Sequence, residues 1–168
     1  MSVLFRPRIW FFLVALSCAA LIGYGLYVQH VDFLDPCPLC ILQRLVFIFI
    51  GAVGLVAALH NPGKAGRWFY GLLIALAGAV GMAIAGRHVW LQNLPLDEVP
   101  DCGMGLNYMI DTMPILQVLS EVFYGSGECA EIGWTFLGFS MPVWTFIWYA
   151  GYAVVTIAVV IAANKSKA

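Results

Sequence analysis

Cys37 and Cys40 lie three residues apart in Asp35-Pro36-Cys37-Pro38-Leu39-Cys40-Ile41-Leu42-Gln43-Arg44, where the chain passes from a polar stretch into an apolar one. Pro38 has no backbone N–H and a φ already near the helical value, so it suits the first position of a helix. Cys40 then falls in the first turn, where unpaired N–H groups and the positive end of the dipole favour a thiolate. Arg44 follows at i+4, on the same face as Cys40. An easily ionised thiol beside a fixed cation, facing an apolar region, suits redox chemistry. Taken alone, the pair could equally be half of a zinc site or a structural disulfide.

The chain has five cysteines. Cys102 and Cys129 lie in a long polar stretch, and Cys18 sits in the middle of an apolar run, where it reads as a small buried residue. A zinc site built from the other four is disfavoured, because Cys102 and Cys129 lack close ligand spacing. Two purely structural bridges are disfavoured as well. Closing a four-residue loop removes little chain entropy, so the close pair is better explained by redox exchange. Two pairs permit a relay in which a thiolate attacks a disulfide, forms a mixed disulfide and is displaced by its neighbour. No nucleotide or flavin fold is discernible, so the electrons need a lipid-soluble two-electron acceptor, and a quinone is the natural choice.

The elements that must position these thiols are membrane spans. At 62% hydrophobic and 10% charged, the chain is far from the roughly 25% charged composition of soluble domains. Four runs reach the roughly 20 apolar residues that a spanning helix needs: about 9–28, 41–59, 68–85 and 143–163. They are continuous rather than alternating, which excludes a β-barrel. The first run is longer than a signal-peptide core and lacks a clear cleavage site, so it reads as a retained anchor. Arg6, Arg8, Lys64, Arg67, Lys165 and Lys167 fall at the termini and in the second loop, whereas all nine acidic residues fall in the first and third loops. The positive-inside rule therefore places both termini in the cytoplasm.

Two cations stand outside that rule. Arg44, one turn from Cys40, reads as functional, and Arg87 as a side chain snorkelling to outer headgroups. His88 sits at the depth of Arg44 and on local grounds reads as a solvated interface residue. Gly71, Gly78 and Gly81 with Ala75, Ala79 and Ala83 favour close helix packing in the third span. In the last loop Ile115, Val118, Leu119, Val122 and Phe123 recur with helical period, predicting a short amphipathic helix lying on the membrane. Its flanks, rich in glycine and acidic residues, predict mobile segments around Cys102 and Cys129. The expected fold is an all-α four-helix transmembrane bundle, one domain over 1–168, with outer loops at about 29–40 and 86–142.

The residues then reach a known pattern. The chain resembles the DsbB family of disulfide bond formation proteins of bacterial inner membranes over nearly its whole length. The resemblance rests on the C-x-x-C opening helix two, Arg44 four residues later, and His88-x-x-x-Gln92. It also rests on Gly127-Glu128-Cys129-Ala130-Glu131 and on Trp134-x-Phe136-Leu137-Gly138-x-x-Met141-Pro142. The resemblance implies an enzyme that reoxidises a periplasmic DsbA-type thiol oxidase. Its electrons pass to ubiquinone, or to menaquinone when oxygen is scarce. It implies redox-active disulfides Cys37–Cys40 and Cys102–Cys129, with Cys102 meeting the partner, Cys129 exchanging with Cys37, and Cys40 left beside the quinone. Arg44 and His88 are implied as quinone-binding residues, with no metal. The expected partners are the thiol oxidase, quinone and the lipid bilayer, with no nucleic acid. A vitamin K epoxide reductase-like enzyme is the redox alternative, but that family carries its C-x-x-C near the last helix. A non-enzymatic four-helix scaffold with structural disulfides leaves Arg44 and the C-x-x-C unexplained.

The charge distribution makes a direct prediction. A reporter fused after Ala168 reports the cytoplasm, and one inserted near Gly105 reports the outer side. The reverse result at either site overturns the orientation.

Overall fold

The computed structural model describes residues 6–31, 33, 36–95, 98–99 and 106–165. Four long helices carry the architecture: α1 Pro7–Val31, α2 Pro38–His60, α3 Lys64–Gln92 and, after the outer loop, α6 Met141–Lys165. Each is long and apolar enough to cross a membrane. They outrun their apolar cores at the ends, because a helix continues to satisfy its own backbone until a capping signal stops it. At the end of α2 that signal is Asn61, in the left-handed conformation with its N–H bonded to the Ala57 carbonyl.

Packing is uneven around the bundle. α1 packs along α2, α2 along α3, and α3 most extensively along α6, whereas α1 and α6 meet at few points. Close approach of α3 to α6 depends on small residues. A Cβ at Gly81 would lie 2.7 Å from the Tyr149 ring. Gly71 and Gly78 also face α6, whereas Ala79 and Ala83 are exposed. The glycines therefore make the interface, since removing even a methyl lets backbones approach where lipid supplies no hydrophobic drive. Tyr149 is fully buried and stacks on Phe47 of α2 with ring centroids 4.3 Å apart. Between α1 and α6 the ties are polar. Trp10 Nε1 donates to Thr156 Oγ1 at 3.0 Å, and the Ser17 and Tyr152 hydroxyls are 2.8 Å apart. Cys18 is buried in the bundle core with Phe11, Val14, Phe47 and Ile50.

A second core sits at the outer end of the bundle. The outer loop folds into α4 Leu106–Thr112, α5 Ile115–Tyr124, a single 3-10 turn Gly127–Cys129 and a two-stranded antiparallel hairpin. Its strands are β1 Thr135–Phe136 and β2 Phe139–Ser140. The hairpin turns at Leu137 and Gly138, both with positive φ, the geometry of a tight two-residue turn. Val118 and Val122 of α5 pack with Met109, Leu91, Ile84, Leu39, Cys37 and Cys129. Ile115 and Leu116, 71% and 80% exposed, turn outward and leave an apolar face suited to the lipid interface.

Two expectations change here. The segment before Cys129 is anchored rather than mobile. Gly125 has φ +87°, and a Cβ there would strike the Leu91 side chain, so the chain descends against α3 at a position only glycine fits. Arg87 is no free snorkelling group either. Its Nη2 donates to the Tyr124 carbonyl at 2.9 Å and its Nε to the Phe123 carbonyl at 3.4 Å. The guanidinium also stacks over Trp90, 4.2 Å from the ring centroid. A cation on the last carbonyls of α5 meets the negative end of that helix.

Arg87→Ala is expected to release this tether. Amide exchange over 115–129 should rise several-fold while α1, α2 and α6 stay protected, as read by hydrogen–deuterium exchange of the full chain in detergent. Unchanged protection of α5 would show that Arg87 contributes nothing to docking it.

Candidate active site

The site begins at the N-terminus of α2. Cys37 caps the helix in extended conformation, with Pro38 at the first helical position and the Cys37 sulfur accepting from the Cys40 N–H at 3.4 Å. The two sulfurs of the pair are 3.0 Å apart. This is the arrangement that the proline and the spacing predict, and Cys37 itself takes the capping place of a Ser or Asp.

Two other segments converge on it. His88, in the last turns of α3, places Nε2 3.8 Å from the Cys37 sulfur. Cys129, at the end of the 3-10 turn, is 0% exposed and bonds through its N–H to the Ser126 carbonyl at 2.8 Å. The sulfurs of Cys37 and Cys129 and a ring nitrogen of His88 all lie within 4.8 Å of one another. Residues 51 and 92 positions apart in sequence thus reach Cys37 from separate elements. Cys102 lies outside the described residues.

Protonation follows from this crowding. The Cys129 thiol is held far above the ordinary range, first by its hydrogen bond with Cys37 and then by burial. At Cys37 the Cys129 bond pulls downward. The bond with Cys40, burial and the charge of Cys40 together outweigh it and push the thiol up to about 12. When reduced, both sulfurs are therefore neutral thiols at physiological pH. A thiolate on either is a transient species that needs local stabilisation.

Below the sulfurs, the gap between α1 and α6 opens into a cleft of about 570 Å³. Cys40, Arg44, His88 and Gln92 line it, with aromatic walls including Trp144 and Trp148. Arg44 reaches across to α1, donating from Nη1 to Gln29 Oε1 at 2.6 Å and from Nη2 to the Gly25 carbonyl at 3.1 Å. The hairpin closes the outer rim. Trp144 Nε1 donates to the Phe136 carbonyl at 3.1 Å, Ser140 Oγ donates to Gln92 Oε1 at 2.6 Å, and Trp134 stacks on Phe136.

Three polar residues of this site escape a linear reading. Gln29 holds Arg44, while Gln43 and Thr145 support His88 from behind. Gln43 Nε2 lies 3.1 Å from His88 Nδ1, and Thr145 Oγ1 donates to Gln43 Oε1. The available signal was a polar side chain in an otherwise apolar span, which in lipid needs a partner on another helix. What such a signal leaves open is the identity of that partner.

As chemistry, the arrangement offers two close thiols, a third delivered by a loop, an imidazole beside them and a cation in an apolar cleft. Thiol–disulfide exchange needs these parts in this proximity. A family model described as Disulfide bond formation protein DsbB matches residues 7–159. Disulfide bond formation protein B of Nitrosococcus oceani is 49% identical over 147 residues, covering 88% of this chain and 87% of the relative. Its counterpart from Chromobacterium violaceum is 48% identical over 147 residues, covering 88% and 89%. That of Acinetobacter baumannii is 52% identical over 137 residues, covering 80% of each. With the likeness running through all four spans and through each segment that carries a clustered sulfur, the chain belongs to the DsbB family, multi-pass membrane oxidoreductases of disulfide bond formation.

Proposed function

We propose that this protein reoxidises a DsbA-type thioredoxin-fold dithiol oxidase at the outer face of a bacterial inner membrane and passes the electrons to membrane quinone. Its termini lie in the cytoplasm and its cysteine loops in the periplasm. The observation that carries the reading is the burial of Cys129 beside the Cys37–Cys40 pair, at the top of an apolar cleft.

In this reading the resting protein holds disulfides Cys102–Cys129 and Cys37–Cys40. A partner thiolate attacks Cys102, and Cys129 leaves as a thiolate. Cys129 then attacks the Cys37 sulfur, forming Cys37–Cys129 and releasing Cys40 as a thiolate, so one S–S bond forms for each that breaks. The positions favour that step, because the Cys129 and Cys37 sulfurs lie within 4.8 Å of each other. Arg44 stands one turn below Cys40 and stabilises negative charge there, in a site with little water to do so.

The cleft fits a quinone. Its volume of about 570 Å³ lies in the ordinary range for small-molecule sites, and its walls are apolar with few polar groups. Arg44 and His88 would hold the ring oxygens. When bound, a quinone supplies a two-electron acceptor. Cys37, Cys129 and His88 are also donors of the kind that hold a soft metal ion.

Two experiments test the reading. Cys129→Ser leaves Cys102 as a thiol without its resolving neighbour. Mixed with the oxidised partner, the Cys102 thiolate attacks the partner's disulfide, one partner sulfur leaves as a thiolate, and a mixed disulfide through Cys102 is expected to be trapped. Mapping the bond to Cys37 instead would overturn the order of the relay. Arg44→Met removes a charge-assisted hydrogen bond of roughly 1.5–3 kcal/mol, so the apparent KM for quinone should rise about 10- to 150-fold. Arg44→Lys should lose less, because charge survives while the planar head does not. Intact quinone kinetics with a slowed first exchange would remove Arg44 from the quinone site.

A further inference from the structure

Gln43 is 4% exposed in the middle of an apolar helix, where an unpaired amide is costly. Its backbone carbonyl accepts from the Tyr149 hydroxyl at 2.7 Å. Its side chain bridges two helices, with Oε1 2.5 Å from Thr145 Oγ1 on α6 and Nε2 3.1 Å from His88 Nδ1 on α3. These lengths set the orientation of the amide. The Thr145 hydroxyl has one proton and two acceptors in reach, Gln43 Oε1 and, at 2.9 Å, the Pro142 carbonyl. The shorter separation, near 2.5 Å, fits O–H···O and is too short for N–H···O, so the proton goes to Gln43 and the amide oxygen faces Thr145. The nitrogen then faces His88, and an amide nitrogen only donates. Nδ1 must therefore present its lone pair, and a neutral imidazole carries its proton on Nε2, the atom facing the Cys37 sulfur at 3.8 Å. A charged ring would set an Nδ1–H against the amide N–H, so the same contact opposes protonation of His88.

Resting on the exchange proposed above, we infer that Gln43 is a positioning residue that, oriented by Thr145, fixes His88 as a neutral Nε2–H donor facing the Cys37 sulfur, with the Cys129 sulfur within 4.8 Å. When Cys129 leaves Cys102 as a thiolate, it does so in a fully buried place. A hydrogen bond from an imidazole held in one tautomer stabilises that sulfur without transferring its proton. The exchange itself stays balanced: the Cys129 thiolate forms its bond to Cys37, the Cys37–Cys40 bond breaks, and Cys40 carries away the charge. His88 thereby serves the sulfurs as well as the cleft. Gln43 determines which ring nitrogen faces the sulfurs.

The tautomer can be read directly. In the full chain in detergent micelles at neutral pH with 15N-labelled histidine, the signals absent from His88→Asn are those of His88. The expected pattern is a pyridine-type Nδ1 and a pyrrole-type Nε2. A pyrrole-type Nδ1, which a reversed amide would give, or an imidazolium overturns the inference. Gln43→Glu places an acceptor opposite Nδ1 and should move a proton onto it, a change that a merely space-filling role would not produce. Gln43→Leu should slow single-turnover formation of Cys37–Cys129 roughly 10-fold, and because His88 also lines the cleft, quinone KM should rise alongside it. A raised KM with exchange intact would assign Gln43 to the cleft and overturn the inference. Failure of the wild type to pass thiol electrons to quinone would remove the proposed function, and the tautomer measurement would still decide the role of Gln43.

Discussion

The placement of Cys129 against Cys37 and His88 is the contact on which the outer half of the molecule depends. Burying a thiol there requires the outer loop to leave the aqueous side and descend onto the ends of α2 and α3. The chain achieves this with apolar packing of Val118 and Val122, a glycine at 125 where a side chain would strike Leu91, and Arg87 on the last carbonyls of α5. None of these is large alone. Together they hold a sulfur in a place where its thiolate is disfavoured, and that makes the stabilising groups around it consequential.

Beneath that contact the bundle is built asymmetrically. Glycines let α3 and α6 close together, and Tyr149 locks α6 to α2 by stacking on Phe47 and bonding the Gln43 carbonyl. On the opposite side α1 stands off from α6, and the gap becomes the cleft. Arg44 spans the two sides of this plan. It belongs to α2, is held by Gln29 and the Gly25 carbonyl of α1, and lines the cleft below Cys40. The tight side thus supplies rigidity and the loose side supplies room.

Polar groups within the spans mark where the bundle is specified. Lipid offers no competing hydrogen bonds, so a buried amide or hydroxyl gains from a partner on a neighbouring helix. Gln43 selects His88 and Thr145, Ser17 meets Tyr152, and Trp10 meets Thr156. These bonds fix rotations of the helices about their axes that apolar packing alone leaves degenerate.

Much was legible in one dimension. A bilayer imposes a linear rule on hydropathy, so the four spans follow from composition and run length. Pro38, Cys40 and Arg44 are related within one helix, where a fixed period converts spacing into position, and the helical stripe of 115–123 was readable for the same reason. Contacts between segments were not readable in this way. The sequence contains Cys129, Gln43, Thr145 and Arg87 but holds no local measure of which residue each meets. Periodicity carries no information across a loop, and glycine and acidic content suggested mobility around Cys129 where packing imposes order. The assembly of Cys37, His88 and Cys129, and the ring nitrogen facing Cys37, were decided by tertiary structure, because only the packing of α2, α3, α6 and the outer loop together brings those atoms within 4.8 Å of one another.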